Sequence, residues 1–210
     1  MNGTPEVALF DYGAGNLHSL QKALEAGGAT VAILGDWNEA LARDALVLPG
    51  VGSFGAAVRS LKGKESLVRD ALEDGLPCLG ICLGMQLFFE TSEEGSGTGI
   101  GFIPGTVRKL RSRVVPQMGW NDVVPSPPTP DSPESDPIFA GINGLVAYYA
   151  NSYVCNPESS QETIAFTEYE GDRFPAGIRR KNTWGVQFHP EKSSIPGLAL
   201  IANFLGEVRK

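Results

Sequence analysis

The 210-residue sequence predicts an α/β fold in three layers: an open, mixed but mostly parallel sheet with helices on both faces. Three observations carry this expectation. Short apolar runs bounded by turn residues alternate with segments of helical period in the first half. Runs without polar alternation suit strands covered on both faces, as parallel sheets require. Beyond about residue 100 strand-like segments predominate, which extends the sheet as a mixed one.

The elements follow in order. "VALF" (Val7 to Phe10) is a strand, "DYGAGN" a tight loop, and Leu17, Leu20 and Leu24 recur at helical spacing before Gly27 and Gly28. "TVAIL" (Thr30 to Leu34) and "ALVLPG" (Ala45 to Gly50) repeat the strand pattern, and a helix carrying Leu67, Val68, Ala71 and Leu72 leads into "LPCLGIC". In the second half "VRKL", "VAYYA", "SYVC", "TIAFTEY", "AGIRR" and "WGVQFH" read as strands continuing the sheet, with Lys181 and Asn182 as a hairpin turn. "VPSPPTPDSPESDP" (Val124 to Pro137) is too rich in proline, serine and acid for a ladder or a helix and reads as a surface loop. A final helix runs from about Ile195 to Val208 on Leu198, Ile201 and Leu205. With no internal repeat and no second complete pattern, the expectation is one domain over residues 1–210.

Composition narrows the function classes. At 42% hydrophobic residues the chain can bury a full core without disulfides or metal. A net charge of -7, from 17 basic and 24 acidic residues, opposes a nucleic-acid or anionic-membrane surface. The first residues have no basic run ahead of an apolar stretch, and no apolar run reaches about 18 residues, so a cytoplasmic protein outside the membrane is expected. Three cysteines without framework spacing suit a reducing compartment.

In "GICLGMQ" a strand runs into Cys82 and a helix begins at once, the setting of a nucleophile elbow. Glycines at 80 and 84 suit a turn that forces the central residue toward positive φ. The following helix offers N-terminal amides and a dipole that favour thiolate, the Leu83 N–H faces a developing oxyanion, and Gln86 lies one turn on, within reach of substrate. On this segment alone, a packed core cysteine and a nucleophile are equally good readings. Cys78 and Cys155 lack the glycines and read as core; no pair of ligand motifs suggests a metal.

The chain has two histidines. "GVQFHPEKS" ends a strand with His189 and Glu191 two residues apart, which in extended backbone share a face, so the carboxylate can fix the imidazole tautomer. His18 sits in a patterned helix and reads as a solvated or packed position. A second glycine-bounded loop, "LPGVGSFG", ends another strand; Gly50 and Gly52 let backbone approach a substrate, and the Val51 N–H is a candidate second oxyanion donor. Phosphate binding is the weaker reading, since no P-loop lysine follows.

Together "PGVGSFG", "GICLGMQ" and "GVQFHPEKS", in this order across almost the whole chain, resemble the class I glutamine amidotransferases, with their flavodoxin-like fold and Cys-His-Glu triad. Carried over, the resemblance makes Cys82 the nucleophile, His189 the acid and base, and Glu191 its orienter. "DYGAGN", "PGVGSF", "QMGWN" (Gln117 to Asn121) and the lysine of "HPEKS" are similar to the glutaminase-subunit family of imidazole glycerol phosphate synthase. That likeness implies glutamine as substrate, no metal or organic cofactor, and a (β/α)8-barrel cyclase as partner in a 1:1 heterodimer, fed with ammonia through an interior channel for histidine biosynthesis. It puts Asn16, Trp120 and Lys192 at the partner face; a helix cap, a core aromatic and a solvated lysine are the plain alternatives for the three. "YYANSYVC" resembles the glutamine-binding strand, with Asn151 where a histidine is frequent, so only Ser152 and Tyr153 carry over, as backbone contacts. The glutaminase component of anthranilate synthase or of another synthetase is the alternative within the superfamily. A partner-free thioester hydrolase and a non-catalytic binding module are the alternatives outside it.

Overall fold

The structure, a computed structural model, describes residues 3–13, 15–127 and 136–210. The first half alternates strand and helix: β1 (Glu6–Phe10), α1 (His18–Ala26), β2 (Thr30–Leu34), α2 (Trp37–Leu41), β3 (Ala45–Leu48), α3 (Phe54–Leu61), α4 (Glu65–Glu73), β4 (Cys78–Ile81) and α5 (Leu83–Gln86). Two helices beyond those expected, α2 and α3, start at side-chain caps: Asp36 accepts from the Asn38 and Glu39 amides, and Ser53 from Ala56. The second half is strand-rich: β5 (Thr91–Ser92), β6 (Gly105–Lys109), β7 (Gln117–Pro125), β8 (Leu145–Asn151), β9 (Tyr153–Pro157), β10 (Thr163–Tyr169), β11 (Asp172–Arg180) and β12 (Thr183–Val186), closed by α6 (Ser194–Val208).

Nine strands form one sheet in the order β2-β1-β3-β4-β12-β11-β10-β7-β8. From β2 to β12 every pairing is parallel, and from β12 to β8 every pairing is antiparallel. Because reversals alternate, only β11 and β7 run against the other seven strands. Within the parallel half β1, β3 and β4 are covered on both faces, which their apolar runs require, while β2 is a half-exposed edge strand. Val7, Leu9, Val47, Leu79 and Ile81 pack with α1 and α6, whereas Ala8, Phe10, Leu46, Leu48 and Cys78 pack with α2, α3 and α4. Strict alternation of neighbours between two apolar layers is the period-2 rule applied to a doubly buried strand. Among the described residues no helix is long and apolar enough to cross a membrane.

Two expectations need correction. "VRKL" and "SYVC" do not extend the main sheet; they lie in β6 and β9, which pair antiparallel and, with β5, make a separate three-stranded sheet. A half-buried pattern specifies which face a strand buries but not which sheet it joins. Asp172, at the start of β11, holds this sheet in place by accepting two bonds of 2.8 Å from the Arg108 guanidinium and one of 2.7 Å from the Arg111 amide. Second, Val124 and Pro125 belong to β7, where they pair with Phe166 and Ala165; a proline is tolerated at the last strand position, where the ladder ends. The segment "QMGWN", given no secondary structure from sequence, is the first part of β7. Positions 128–135 of the proline-rich segment lie outside the described residues.

Candidate active site

β3, β4 and β12 are neighbours in the sheet, so the loops at their carboxyl ends converge on one place. β4 ends at Ile81, and Cys82 follows with φ 47° and ψ -103°, the left-handed region that an L-residue enters only under constraint. Its N–H is held by the Val186 carbonyl of β12 at 2.7 Å. The flanking glycines are steric necessities: a Cβ on Gly84 would lie 2.1 Å from the Leu48 carbonyl oxygen, and one on Gly80 2.7 Å from the Gly84 backbone. The helix that follows spans only Leu83–Gln86, so the expected helix dipole shrinks to the unpaired N–H groups of a single turn.

β12 ends at Val186, short of the histidine. His189 and Glu191 therefore do not meet on an extended strand. Pro190, its φ suited to a turn, opens the 3-10 segment Pro190–Lys192, and this brings Glu191 Oε1 to 2.9 Å from His189 Nδ1. The turn is tied to β8 at two points and closed by a third bond of its own. The His189 N–H donates to the Tyr148 carbonyl at 2.8 Å, the Tyr148 N–H donates to Ser193 Oγ at 3.0 Å, and Ser193 Oγ donates to the His189 carbonyl at 2.6 Å. Burial disfavours the imidazolium, but hydrogen bonds to Cys82 and Glu191 and the negative charge on each outweigh it, raising His189 to about 9. The ring is therefore a cation at neutral pH, buried between the Cys82 sulfur and the Glu191 carboxylate. Burial instead pushes the Cys78 and Cys155 thiols up, which keeps them protonated and inert.

Gly50, after β3, is the third wall. A Cβ there would stand 2.8 Å from His189 Cε1 and 2.9 Å from Cys82 Cβ, so glycine is required by the two side chains themselves. Val51 packs on Gly15 of the "DYGAGN" loop, whose missing Cβ would fall 2.4 Å from the valine. Gly52 has φ 100° and leads into the Ser53 cap of α3, where Glu94 Oε1 lies 3.4 Å from the Phe54 N–H. A cavity of about 190 Å³ is lined by Asn16, Leu17, Gly50, Val51, Glu191 and Lys192 among others. Asn16 and Lys192 thus meet the glycine loop and the carboxylate around one space. Asn16 Oδ1 also accepts from the His18 N–H at 2.9 Å, from one residue ahead of the N-cap, Leu17, so α1 has no side-chain cap and Asn16 is not its N-cap.

Gln86 is buried and points inward. Its Nε2 donates to the Tyr153 carbonyl at 3.1 Å and to Gln187 Oε1 at 3.4 Å, which leaves only its oxygen for another partner. Asn151 is buried as well and donates to the same Tyr153 carbonyl at 3.2 Å. The Ser152 carbonyl accepts from Leu110 at 2.9 Å, so both carbonyls of this pair are committed within the protein. Trp120 is not a core residue: it is 55% exposed on β7, edge-on to Tyr148 at 6.2 Å, and Lys192 Nζ lies 5.8 Å from the Tyr148 ring.

Three residues were not anticipated: Gln187, which reaches Cys82 Sγ at 3.4 Å, Ser193, and Glu94. Gln187 carried a signal, a polar residue inside the apolar run "WGVQFH". A cysteine on a strained turn, beside a buried imidazolium oriented by a carboxylate, is equipped for acyl transfer through a thioester.

Comparison with known proteins agrees with this geometry. The family described as glutamine amidotransferase class-I matches residues 8–208. The imidazole glycerol phosphate synthase subunit HisH of Synechococcus elongatus is 41% identical over 216 aligned residues, covering 99% of this chain and 96% of that protein. The HisH of Thermus thermophilus is 45% identical over 200, covering 94% and 95%. Among solved structures, PurLQS from Thermotoga maritima superposes with a TM-score of 0.75 at 18% identity, covering 98% of this chain and 99% of that one. The glutaminase domain of CTPS from Trypanosoma brucei gives 0.67 at 19%, covering 98% and 94%. With the family matched from β1 into α6 and relatives above 40% identity along nearly the whole length, the chain belongs to the class-I glutamine amidotransferases.

Proposed function

We propose that this chain is the glutaminase subunit of an imidazole glycerol phosphate synthase, hydrolysing glutamine and passing ammonia to a (β/α)8-barrel cyclase in a 1:1 cytoplasmic heterodimer for histidine biosynthesis. The observation that carries the chemistry is the buried His189 and Glu191 pair at 2.9 Å, set with Cys82 around Gly50. The Cys82 thiolate attacks the carboxamide carbon while the Leu83 and Val51 N–H groups bind the oxyanion, each worth roughly 3 to 4 kcal/mol. The imidazolium, charged at neutral pH, gives its proton to the departing ammonia. Neutral after that transfer, His189 removes a proton from water as it attacks the glutamyl thioester, releasing glutamate and restoring the thiolate. The free oxygen of Gln86 and the N–H groups near Ser152 and Tyr153 are the contacts for substrate, and Glu94, beside the Gly52 loop, is the carboxylate for its ammonium group.

The partner assignment rests on the names and near-complete coverage of the relatives, on the free ammonia the reaction makes, and on an open apolar face. Met118, Trp120 and Val146 project from β7 and β8, and Ile195 from the start of α6. The cavity lined by Asn16, Glu191 and Lys192 reaches the triad at Glu191 and is the passage this reading gives to ammonia. The test is glutamate release with purified cyclase and its nucleotide substrate, followed by labelling with a glutamine-mimicking electrophile. Turnover should rise with cyclase, the label should sit on Cys82, and Cys82→Ser should cut turnover by at least about a thousandfold. Label on Cys78 or Cys155, or turnover indifferent to cyclase but raised by an anthranilate synthase partner, would sink the assignment.

A further inference from the structure

Gln187 is fully buried beside the reacting sulfur, and no step above uses it. Its surroundings dictate which end of its amide faces Cys82. The Tyr153 carbonyl can only accept, so the end of Gln86 that reaches it must be the NH2 group. That same NH2 donates its second hydrogen to Gln187, so Gln187 presents its oxygen to Gln86 and its NH2 to Cys82 Sγ, 3.4 Å away. Turning Gln86 over would set its oxygen against the Tyr153 carbonyl, and turning Gln187 over would set its NH2 against that of Gln86, an unpaired contact within a buried chain in either case. The direction is therefore inherited from the backbone carbonyl of Tyr153, the first residue of β9.

We propose that Gln187 is a positioning residue of the glutaminase reaction: its amide N–H holds the Cys82 sulfur in the attacking orientation and stabilises it as thiolate, and Gln86 and the Tyr153 carbonyl hold Gln187. The donor favours the charged sulfur because a hydrogen bond to an ionised group is stronger than one to a neutral group. On a turn where Cys82 already sits at φ 47°, the side chain needs a second restraint besides His189. Gln187 touches sulfur rather than substrate, so it governs reactivity and leaves affinity for glutamine nearly unchanged. This inference rests on the glutaminase reading of the site, and the experiment separates the two.

Gln187→Glu keeps an oxygen for Gln86 and replaces the N–H facing the sulfur with a carboxylate oxygen. Gln187→Met keeps the volume and removes the amide. Two readouts are taken on the complex with cyclase: kcat and KM for glutamine, and the rate of Cys82 alkylation by iodoacetamide, read by peptide mass spectrometry without glutamine. Both variants should slow alkylation and kcat by about tenfold or more, Glu more than Met, with KM within about twofold. Alkylation at the wild-type rate in a variant with a wild-type melting curve, or an effect on KM alone, overturns the proposal; if Gln187→Glu does not fold, Gln187→Met decides it. A wild-type complex that is alkylated at Cys82 yet leaves glutamine intact refutes the glutaminase reading, while the alkylation rates still judge Gln187.

Discussion

The parallel and antiparallel halves of the sheet meet at β12, and they present their side chains in opposite ways. In β1, β3 and β4 both faces are covered, so the side chains of Val7 to Phe10, of β3 and of β4 are all buried. Chemistry can emerge there only where strands end, and it does so through backbone crowded against backbone at Gly50, Gly80 and Gly84. In β7 and β8 one face is left open, and groups project from mid-strand: Met118 is 67% exposed and Trp120 55%. The reaction thus belongs to the half where packing leaves no slack, and recognition to the half where packing is incomplete. Tyr148 connects them, since its backbone clamps the His189 turn while its ring lies beside Trp120.

The sharpest way to break this contrast is one methyl group in the parallel half. In Gly84→Ala the new Cβ meets the Leu48 carbonyl oxygen at 2.1 Å, and that oxygen belongs to a central strand with no room to retreat. Overpacking against backbone should cost about 3 kcal/mol or more and displace the Cys82 turn. Urea unfolding should show the midpoint falling, with glutamine turnover lost in the protein that remains folded. A midpoint equal to that of the wild type would mean that the elbow has slack.

The same contrast explains what could be read from sequence. "VALF", "ALVL" and "CLGI" were legible because strands buried on both faces are apolar at nearly every position, whereas "TVAIL" was legible from its β-branched run between turn residues although it is a half-exposed edge strand. The elbow was legible because its steric demand is written locally, in glycines two residues either side of Cys82. β7 was hidden because its pattern is inverted: Met118 and Trp120 face outward while Gln117 is buried, so the usual rule of apolar residues inward does not apply. The small sheet was misplaced because burial on one face does not name a partner strand. Gln187 was missed because the group that gives it meaning lies 105 residues away, and the carbonyl that orients Gln86 lies 67 away. Polar partnership at that separation leaves no periodic trace.

An intermediate effect is expected from pH, and it too belongs to the parallel half. The folded protein raises His189 from 6.5 to about 9, so the folded state holds the proton more tightly than the unfolded chain. The stabilisation from this group is complete below about pH 6.5 and is lost as pH rises through about 9. Melting curves should show roughly 1 to 3 kcal/mol of stability disappearing across that window in the wild type. His189→Gln has no ring to titrate and should lose this share of the pH dependence. Equal slopes in the two proteins would mean that the imidazolium is not held by Cys82 and Glu191 as the geometry implies.

The smallest effect on the fold should come from the antiparallel half, where the same size of change is felt elsewhere. Trp120→Ala removes a large side chain that contacts Tyr148 edge-on and is otherwise open to solvent. Since little apolar area is lost from the folded protein, unfolding stability should change by less than about 0.5 kcal/mol. A solvent-facing tryptophan ringed by Met118, Tyr148 and Val146 has the composition of an interface anchor, and truncating such a residue typically costs about 2 kcal/mol of binding. Titration calorimetry against the cyclase should therefore show affinity weakened by roughly tenfold to a hundredfold, with melting unchanged. If instead stability falls and affinity holds, the open face of β7 and β8 is structural, and the division of the sheet into a reacting half and a recognising half fails.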